Sequence, residues 1–375
     1  ADGAHCVAQL NDEVNDFFAA IESVCKFSPW GNDCRVRVSG VVENSLTEHF
    51  LEVERHVSKA AEKVTNDSNR NEILDLGRRL KGWRVSINEF LEQSLDNHVY
   101  WVEKSKGSVD NIVLNSAPID VSGELNELFF KKNNACVLTS ATLSVGENNE
   151  PIGYFKNRVG AESVDSVRIG SPFDYEKQMR IYLVKRIKDP RAEGYEADLI
   201  QWIGHFVEKS KGRAFVLFTS YNLMNSVAVK IEERIKSMGY KLFVQGRKMP
   251  RNKLLNAFRR DPSSVLFGTD SFWAGVDVPG EALSNVIVTR IPFAVPDHPL
   301  TASRLEAIEE NGGNPFLEYT VPEAILKLRQ GVGRLIRSSS DQGIVVILDN
   351  RILLKQYGKA FIRALPNAPV EIIED

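Results

Sequence analysis

The run Gln330-Gly331-Val332-Gly333-Arg334-Leu335-Ile336-Arg337 sets a glutamine and two arginines four and then three positions apart. Continued as a helix, it puts Gln330, Arg334 and Arg337 on one face and Leu328, Val332 and Leu335 on the opposite one. Two guanidiniums held together by an anchored helix match the oxygens of a transferring phosphoryl group, where arginine stabilises the charge that builds in the transition state. The plain alternative is a solvated helix face carrying two arginines. Gly331 and Gly333 argue against it, since a glycine costs a helix interior ~1 kcal/mol unless a close approach requires it.

A second constellation spans Val265 to Gly280. An apolar strand ends at Gly268, and the following Thr269-Asp270-Ser271-Phe272-Trp273-Ala274-Gly275-Val276-Asp277 carries hydroxyls, acids, a glycine and two aromatics. In open α/β sheets, ligands bind at the carboxyl ends of the strands. Just upstream, Arg247, Lys248, Arg251, Lys253, Arg259 and Arg260 form a basic group with no acid between residues 247 and 260. A local positive surface is expected there. Phe272 and Trp273 beside it are candidates to stack on the bases of a single strand, at ~1–3 kcal/mol per base. The competing arrangement is a solvated basic helix with both aromatics packed inward. Thr139-Ser140-Ala141-Thr142 also ends a predicted strand with hydroxyls at a turn.

The elements that must position these groups change character along the chain. Residues 9–98 read as helical, with Val14, Phe17, Phe18 and Ile21 at 3–4 spacing, a break at Pro29-Trp30-Gly31-Asn32, and helical patterns again from Leu46 to Leu95. No strand series is expected there. From Tyr100 onward, short β-branched runs alternate with amphipathic helices. Strands are predicted at 111–115, 135–139, 181–185, 214–219, 242–245, 265–268, 285–290 and 343–349. Runs such as Phe215-Val216-Leu217-Phe218 and Ile344-Val345-Val346-Ile347 suit a parallel sheet covered on both faces. Residues 295–321, with Pro296, Pro299, Gly312-Gly313 and Pro315, interrupt the strand–helix rhythm.

With 375 residues, 43% of them hydrophobic, the chain can bury more than one core, and two to three domains are expected. A net charge of −3 excludes a uniformly basic nucleic-acid coat or an acidic tail. No apolar run approaches the ~20 residues of a membrane span, and no signal-peptide pattern opens the chain. A cytoplasmic protein without a membrane partner is therefore expected. Cys6, Cys25, Cys34 and Cys136 are spaced by 19, 9 and 102 positions and match no zinc or iron–sulfur pattern. No metal site is expected, and His49 and His56, though able to share a helix face, read as surface histidines. No clustered carboxylates suggest a two-metal nuclease.

The segments Thr139–Thr142, Val216-Leu217-Phe218-Thr219-Ser220-Tyr221, Val265–Gly280 and Gln330–Arg337 occur in the order and spacing of motor motifs III, IV, V and VI of superfamily-two helicases. The sequence most resembles the XPD/DinG branch of DNA helicases over residues 99–370. Ser171-Pro172-Phe173-Asp174 and Ile291-Pro292-Phe293-Ala294-Val295-Pro296-Asp297 are further DinG-like phrases. The resemblance implies an α/β fold: a RecA-like parallel-sheet motor domain, P-loop NTPase-like but without its P-loop, preceded by a helical arch fragment. It divides the chain into an arch fragment (1–98), the end of a first motor domain with motif III (99–160, its sheet parallel) and a second motor domain with motifs IV to VI (161–375). It assigns catalysis to Gln330, Arg334 and Arg337, and nucleotide contacts to Gly275 and Asp277. Coupling falls to Ser140, Ala141 and Thr142, and single-stranded DNA to Ser220, Arg247, Ser271, Phe272 and Trp273.

A nucleoside triphosphate is normally cradled by G-x-x-x-x-G-K-S/T, whereas the only Gly-Lys pair here is Gly358-Lys359, followed by Ala360. Motif II is also missing, since Asp2-Gly3-Ala4-His5 resembles D-E-A-H but follows no hydrophobic strand. ATP and Mg are therefore expected only together with a first motor domain outside this sequence, and the family's iron–sulfur cluster is not expected in this chain. The resemblance implies 5′-to-3′ movement on single-stranded DNA in repair or replication, and this chain alone should hydrolyse no ATP. The alternative is a non-hydrolysing nucleic-acid-binding or partner-docking module with a helicase-derived fold.

One residue departs from the family. DinG-like proteins usually carry Glu just before the glycine matching Gly275, where this chain has Ala274. An acid there can order hydroxyls and arginines of the cleft and link nucleotide state to closure. Ala274→Glu is expected to raise DNA-stimulated ATP turnover of the full-length protein without tightening DNA binding in the absence of nucleotide. Unchanged or lowered turnover would show that this cleft uses no acid at 274.

Overall fold

The computed structural model describes residues 2–27, 32–105, 111–131, 135–146, 152–247, 249–273 and 283–374, and only the backbone of Asp270 and Ser271. The chain forms two compact units, Ala1–Val121 with Val295–Gly313, and Ser122–Ala294 with Asn314–Asp375. Among the described residues no helix is long and apolar enough to cross a membrane.

The first unit packs the helices Asp2–Val24, Leu46–Lys63 and Asp67–Glu92 with three strands, β1 (Asp33–Val36), β2 (His98–Lys104) and β3 (Ile112–Pro118). Helical spacing sets the core: Leu10, Phe17 and Ile21 from the first helix meet Leu46, Phe50 and Val53 from the second and Leu80 and Phe90 from the third. The third helix opens on Asn66, whose side chain accepts from the Asn69 amide, and closes on Gln93 in the left-handed region.

Three expectations are corrected here. A strand does lie in the stretch read as helical, because β1 pairs with β2. The parallel sheet expected from residue 99 is instead antiparallel, in the order β1-β2-β3. The connection between β2 and β3 explains this, since residues 105–111 are too few for the crossover a parallel pair needs. The strand expected at 135–139 is irregular, with Val137 87% and Leu138 50% exposed. No described strand pairs with it, and an isolated strand leaves its backbone groups unsatisfied.

Residues 295–313 of the rhythm-breaking segment also belong to this unit. Its helix Pro299–Glu310 presents Glu306, which accepts from Arg35 Nη1 at 2.7 Å and Arg37 Nη2 at 2.7 Å, and Arg304, which donates to the Ile119 carbonyl at 2.9 Å.

The second unit is built on seven strands, β4 (Met179–Val184), β5 (Ala214–Leu217), β6 (Lys241–Val244), β7 (Ser264–Gly268), β8 (Asn285–Val288), β9 (Gly343–Ile347) and β10 (Val370–Ile373). Their order is β10-β4-β9-β8-β5-β7-β6, and every neighbouring pair is parallel. The strand period of two splits the apolar runs between two cores. Phe215 and Leu217 face one with Leu266, Val286 and Leu328, while Val216 and Phe218 face the other with Phe206, Ile231 and Phe267. A parallel sheet directs all its carboxyl ends to one edge, and the residues singled out above at 218–220, 269–273 and 245–247 follow strands at that edge.

Candidate active site

Three strands deliver polar groups to this edge. Beyond β5, Ser220 caps the helix Tyr221–Ser237 by accepting from the Leu223 amide at 3.4 Å. Gln245 follows β6 and Thr269 follows β7. Gln245 Oε1 accepts from the Thr269 backbone amide at 2.7 Å and from its hydroxyl at 3.1 Å, while Gln245 Nε2 donates to the Tyr221 hydroxyl. Tyr221, Gln245 and Thr269 thus form one hydrogen-bonded chain across β5, β6 and β7, which sequence reasoning missed. The available signal was positional: Gln245 and Thr269 are each the first residue after a parallel strand.

The next residues form the short helix Asp270–Trp273. Phe272 and Trp273 are both 0% exposed, which corrects their assignment as base-stacking platforms. Trp273 donates its indole N–H to the Phe218 carbonyl at 3.0 Å, and Phe272 packs edge-on against Phe215. Cations cover the rings instead: the Arg251 guanidinium lies 5.4 Å from the Phe272 centroid and the Lys327 ammonium 5.9 Å from that of Trp273. Ser271 is placed only by its backbone, and Ala274, Gly275 and Asp277 lie outside the described residues.

Gly331 shows what its missing side chain is for. A Cβ there would meet Leu217 Cδ1 and Trp273 Cε3, each at 2.9 Å, so only glycine lets the helix Val321–Val332 close on the buried indole. The single helix face expected for Gln330, Arg334 and Arg337 does not exist, because the helix ends at Val332. The Gly333 amide bonds the Arg329 carbonyl at 2.8 Å, and bonds spanning three residues, from the Arg334 amide to the Gly331 carbonyl at 3.5 Å and from the Leu335 amide to the Val332 carbonyl at 3.1 Å, carry the chain into a turn.

The arginines still converge. Arg334, 8% exposed, donates from Nε at 3.0 Å and Nη2 at 2.6 Å to the Trp273 carbonyl, and its own carbonyl accepts from Arg337 Nε at 3.4 Å. The loop is fixed by Asp341, whose carboxylate accepts from the amides of Arg337 at 2.8 Å and Ser338 at 2.9 Å. Burial alone would raise the Asp341 pKa, but these donors bring it below the usual carboxylate range.

The site is crowded with positive charge. Burial, then the nearby Arg251, lowers the pKa of Arg334. Burial, with Arg259 adding to it against Asp341, lowers that of Arg337. Arg251 and Arg259 belong to the helix Arg251–Arg260, whose Leu254, Leu255 and Phe258 pack into the core. Arg247 forms an ion pair with Glu232 at 3.3 Å, and Lys248 lies outside the described residues. In the 139–142 segment, the Ser140 hydroxyl accepts from the Thr142 amide at 3.2 Å in an exposed turn that includes Ala141.

A Cβ on Gly358 would fall on the Ile352 carbonyl, so this glycine serves packing and builds no phosphate cradle with Lys359. Arg334 and Arg337 have the donor geometry that suits phosphate oxygens.

The sequence and the fold are similar to those of known proteins. The helicase C-terminal domain family matches residues 203–368. The ATP-dependent DNA helicase YoaA of Escherichia coli (strain K12) is 35% identical over 301 residues, covering 80% of this chain and 46% of that protein. The ATP-dependent DNA helicase DinG of Photobacterium profundum is 38% identical over 272 residues, 71% of this chain and 39% of that protein. The 3'-5' exonuclease DinG of Bacillus subtilis is 34% identical over 308 residues, 80% and 33% respectively. The chain spans about half the length, or less, of these relatives. Among solved structures, an XPD helicase superposes with a TM-score of 0.61 at 16% identity, over 97% of this chain and 62% of that one. Xpd4 of S. tokodaii gives 0.58 at 14%, over 94% and 64%.

Proposed function

Because the chain carries a DinG/XPD-like superfamily-two helicase C-terminal portion with a RecA-like motor fold, we propose that it supplies the arginine side of an ATP site in a DNA helicase. In this reading ATP hydrolysis drives 5′-to-3′ translocation on single-stranded DNA in repair or replication, and the protein works in the cytoplasm. The observation that carries it is the seat of Arg334 on the Trp273 carbonyl, which joins the motif VI turn to the motif V loop as one hydrogen-bonded piece. A change at the nucleotide is thereby transmitted to the strand edge bearing Thr269, Gln245 and Ser220.

The adenine nucleotide and Mg are held by a first motor domain outside this sequence. Bound ATP supplies the phosphoryl group, and this chain's part is to place Arg334 and Arg337 where charge builds, with Gln330 as the third catalytic residue. Gly275 and Asp277 contribute nucleotide contacts, and Ser140, Ala141 and Thr142 couple the two motor domains. Residues 1–98, 99–160 and 161–375 serve as arch fragment, end of the first motor and second motor.

The test is ATP turnover with and without single-stranded DNA, by the full-length protein and by this chain. DNA-stimulated turnover by the first and none by the second are expected. No turnover by the full-length protein would favour the docking module instead, and turnover by this chain alone would overturn the division of labour.

The DNA surface has its own test. Affinity of the full-length protein for single strands should fall with salt, and replacing Lys253 or Arg260 by Ala should reduce the log–log slope by ~0.7 for each phosphate no longer neutralised. Undetectable or salt-independent binding would remove the basic helix from the interface.

A further inference from the structure

Cys6, Glu52 and His56 come together in the first unit although 46 positions separate the cysteine from the glutamate. Cys6 sits in the helix Asp2–Val24, and Glu52 and His56 are one turn apart in the helix Leu46–Lys63 that packs against it. The thiol, a carboxylate oxygen and an imidazole nitrogen all lie within 4.8 Å of one another. Cys6 is buried, while Glu52 and His56 are half-buried and reachable from solvent. Gly3 leaves room beside the imidazole, since even an added Cβ would stand 3.7 Å from His56 Nδ1.

We propose that Cys6, Glu52 and His56 form a binding site for a divalent zinc-class cation, with solvent in the fourth position. The expectation of no metal site is thereby revised. It rested on local cysteine spacing, and this site is assembled across two helices from one cysteine.

The donor set argues for that class of ion. Sulfur, imidazole nitrogen and a single carboxylate suit Zn2+, whereas Ca2+ and Mg2+ take oxygen ligands in larger number. Thiolate and carboxylate together carry two negative charges and neutralise the ion. Ligation replaces the thiol proton, which passes to solvent, and the ordered ion then ties the two helices together. This site lies apart from the helicase-like motifs in sequence, and the proposal does not depend on the reading given for them.

Cobalt(II) titration of the full chain tests it. One equivalent should produce a thiolate-to-cobalt charge-transfer band and the visible absorption of tetrahedral cobalt, both removed by zinc. Cys6→Ser should abolish the charge-transfer band, and Glu52→Gln or His56→Ala should weaken binding at least tenfold. Zinc should raise the melting temperature of the wild type but not of Cys6→Ser. The rival thiols are Cys25, Cys34 and Cys136; burial and the Cys34 thiol push Cys25 up to about 12. A Cys25→Ser/Cys34→Ser/Cys136→Ser variant should keep the band and so exclude them. No band at one equivalent, or a band that survives Cys6→Ser, overturns the site.

Discussion

Replacing Arg334 or Arg337 with Ala in the full-length protein is expected to lower ATP turnover by ~10³-fold or more, with nucleotide binding less affected. The expectation follows from what surrounds the two guanidiniums. Each is partly withdrawn from water and faces another cation, Arg251 for Arg334 and Arg259 for Arg337, so burial and repulsion both lower its pKa. Arginine stays protonated regardless, and cations gathered against repulsion in a low-dielectric site hold an anion more strongly than the same cations in water. Their gain grows as phosphoryl charge develops, which is why the loss should fall on kcat.

The two positions should also differ from each other. Arg334→Ala leaves the Trp273 carbonyl without its two donors, so it should cost ~1–3 kcal/mol of stability besides activity. The Arg337 loop keeps its Asp341 anchor through the backbone, so Arg337→Ala should leave the unfolding midpoint nearly unchanged. Arg337→Lys separates charge from geometry, because an ammonium keeps the charge and loses the planar fork. Steady-state ATP turnover, nucleotide affinity by titration and urea unfolding of each variant check the set. Wild-type turnover in both alanine variants would make the arginines structural.

Burial decides which elements can be read from the sequence. The runs Phe215–Phe218 and Ile344–Ile347 are covered on both faces, and such strands announce themselves as continuous apolar stretches. β10 is exposed at Val370, Glu371 and Ile372, and its Val370-Glu371-Ile372-Ile373 offers no comparable run. β1 is four residues long, with Asp33 and Arg35 in it, and only pairing with β2 makes it a strand. The helix expected to run through Arg337 stops short, although Leu335 and Ile336 continue the apolar pattern, because both are buried from a turn that bends back over the sheet. At the site, residue types were legible and directions were not. Phe272 and Trp273 follow three polar residues and look exposed, while the sign of their burial sits in glycines elsewhere. A Cβ at Gly268 would stand 2.7 Å from Phe272 Cβ, and one at Gly331 would strike the Trp273 ring. The first approach spans only four positions, whereas that of Gly331 to Trp273 belongs to tertiary structure and has no local signature.

The glycine–indole contact leads to the second large effect. Trp273→Ala should destabilise the 122–294 and 314–375 unit by ~3–5 kcal/mol, the range for removing a fully buried Trp, and it also strips the Phe218 carbonyl of its donor. Trp273→Phe retains most of the volume and should cost only ~1–2 kcal/mol. That milder variant should bind single-stranded DNA as the wild type does, since the ring faces the core. Loss of DNA affinity in Trp273→Phe with an unchanged unfolding midpoint would return the indole to the DNA. Gly331→Ala supplies the complementary test. In the wild-type background its methyl meets Leu217 and Trp273 at 2.9 Å, and overpacking should cost ~1–3 kcal/mol. In the Trp273→Ala background the same methyl enters the space the indole vacated, so the two losses should fall short of additive by ~1 kcal/mol or more. Strict additivity in urea unfolding would mean that Gly331 and Trp273 do not share this contact, and the seating of motif VI on motif V through the indole would then fail.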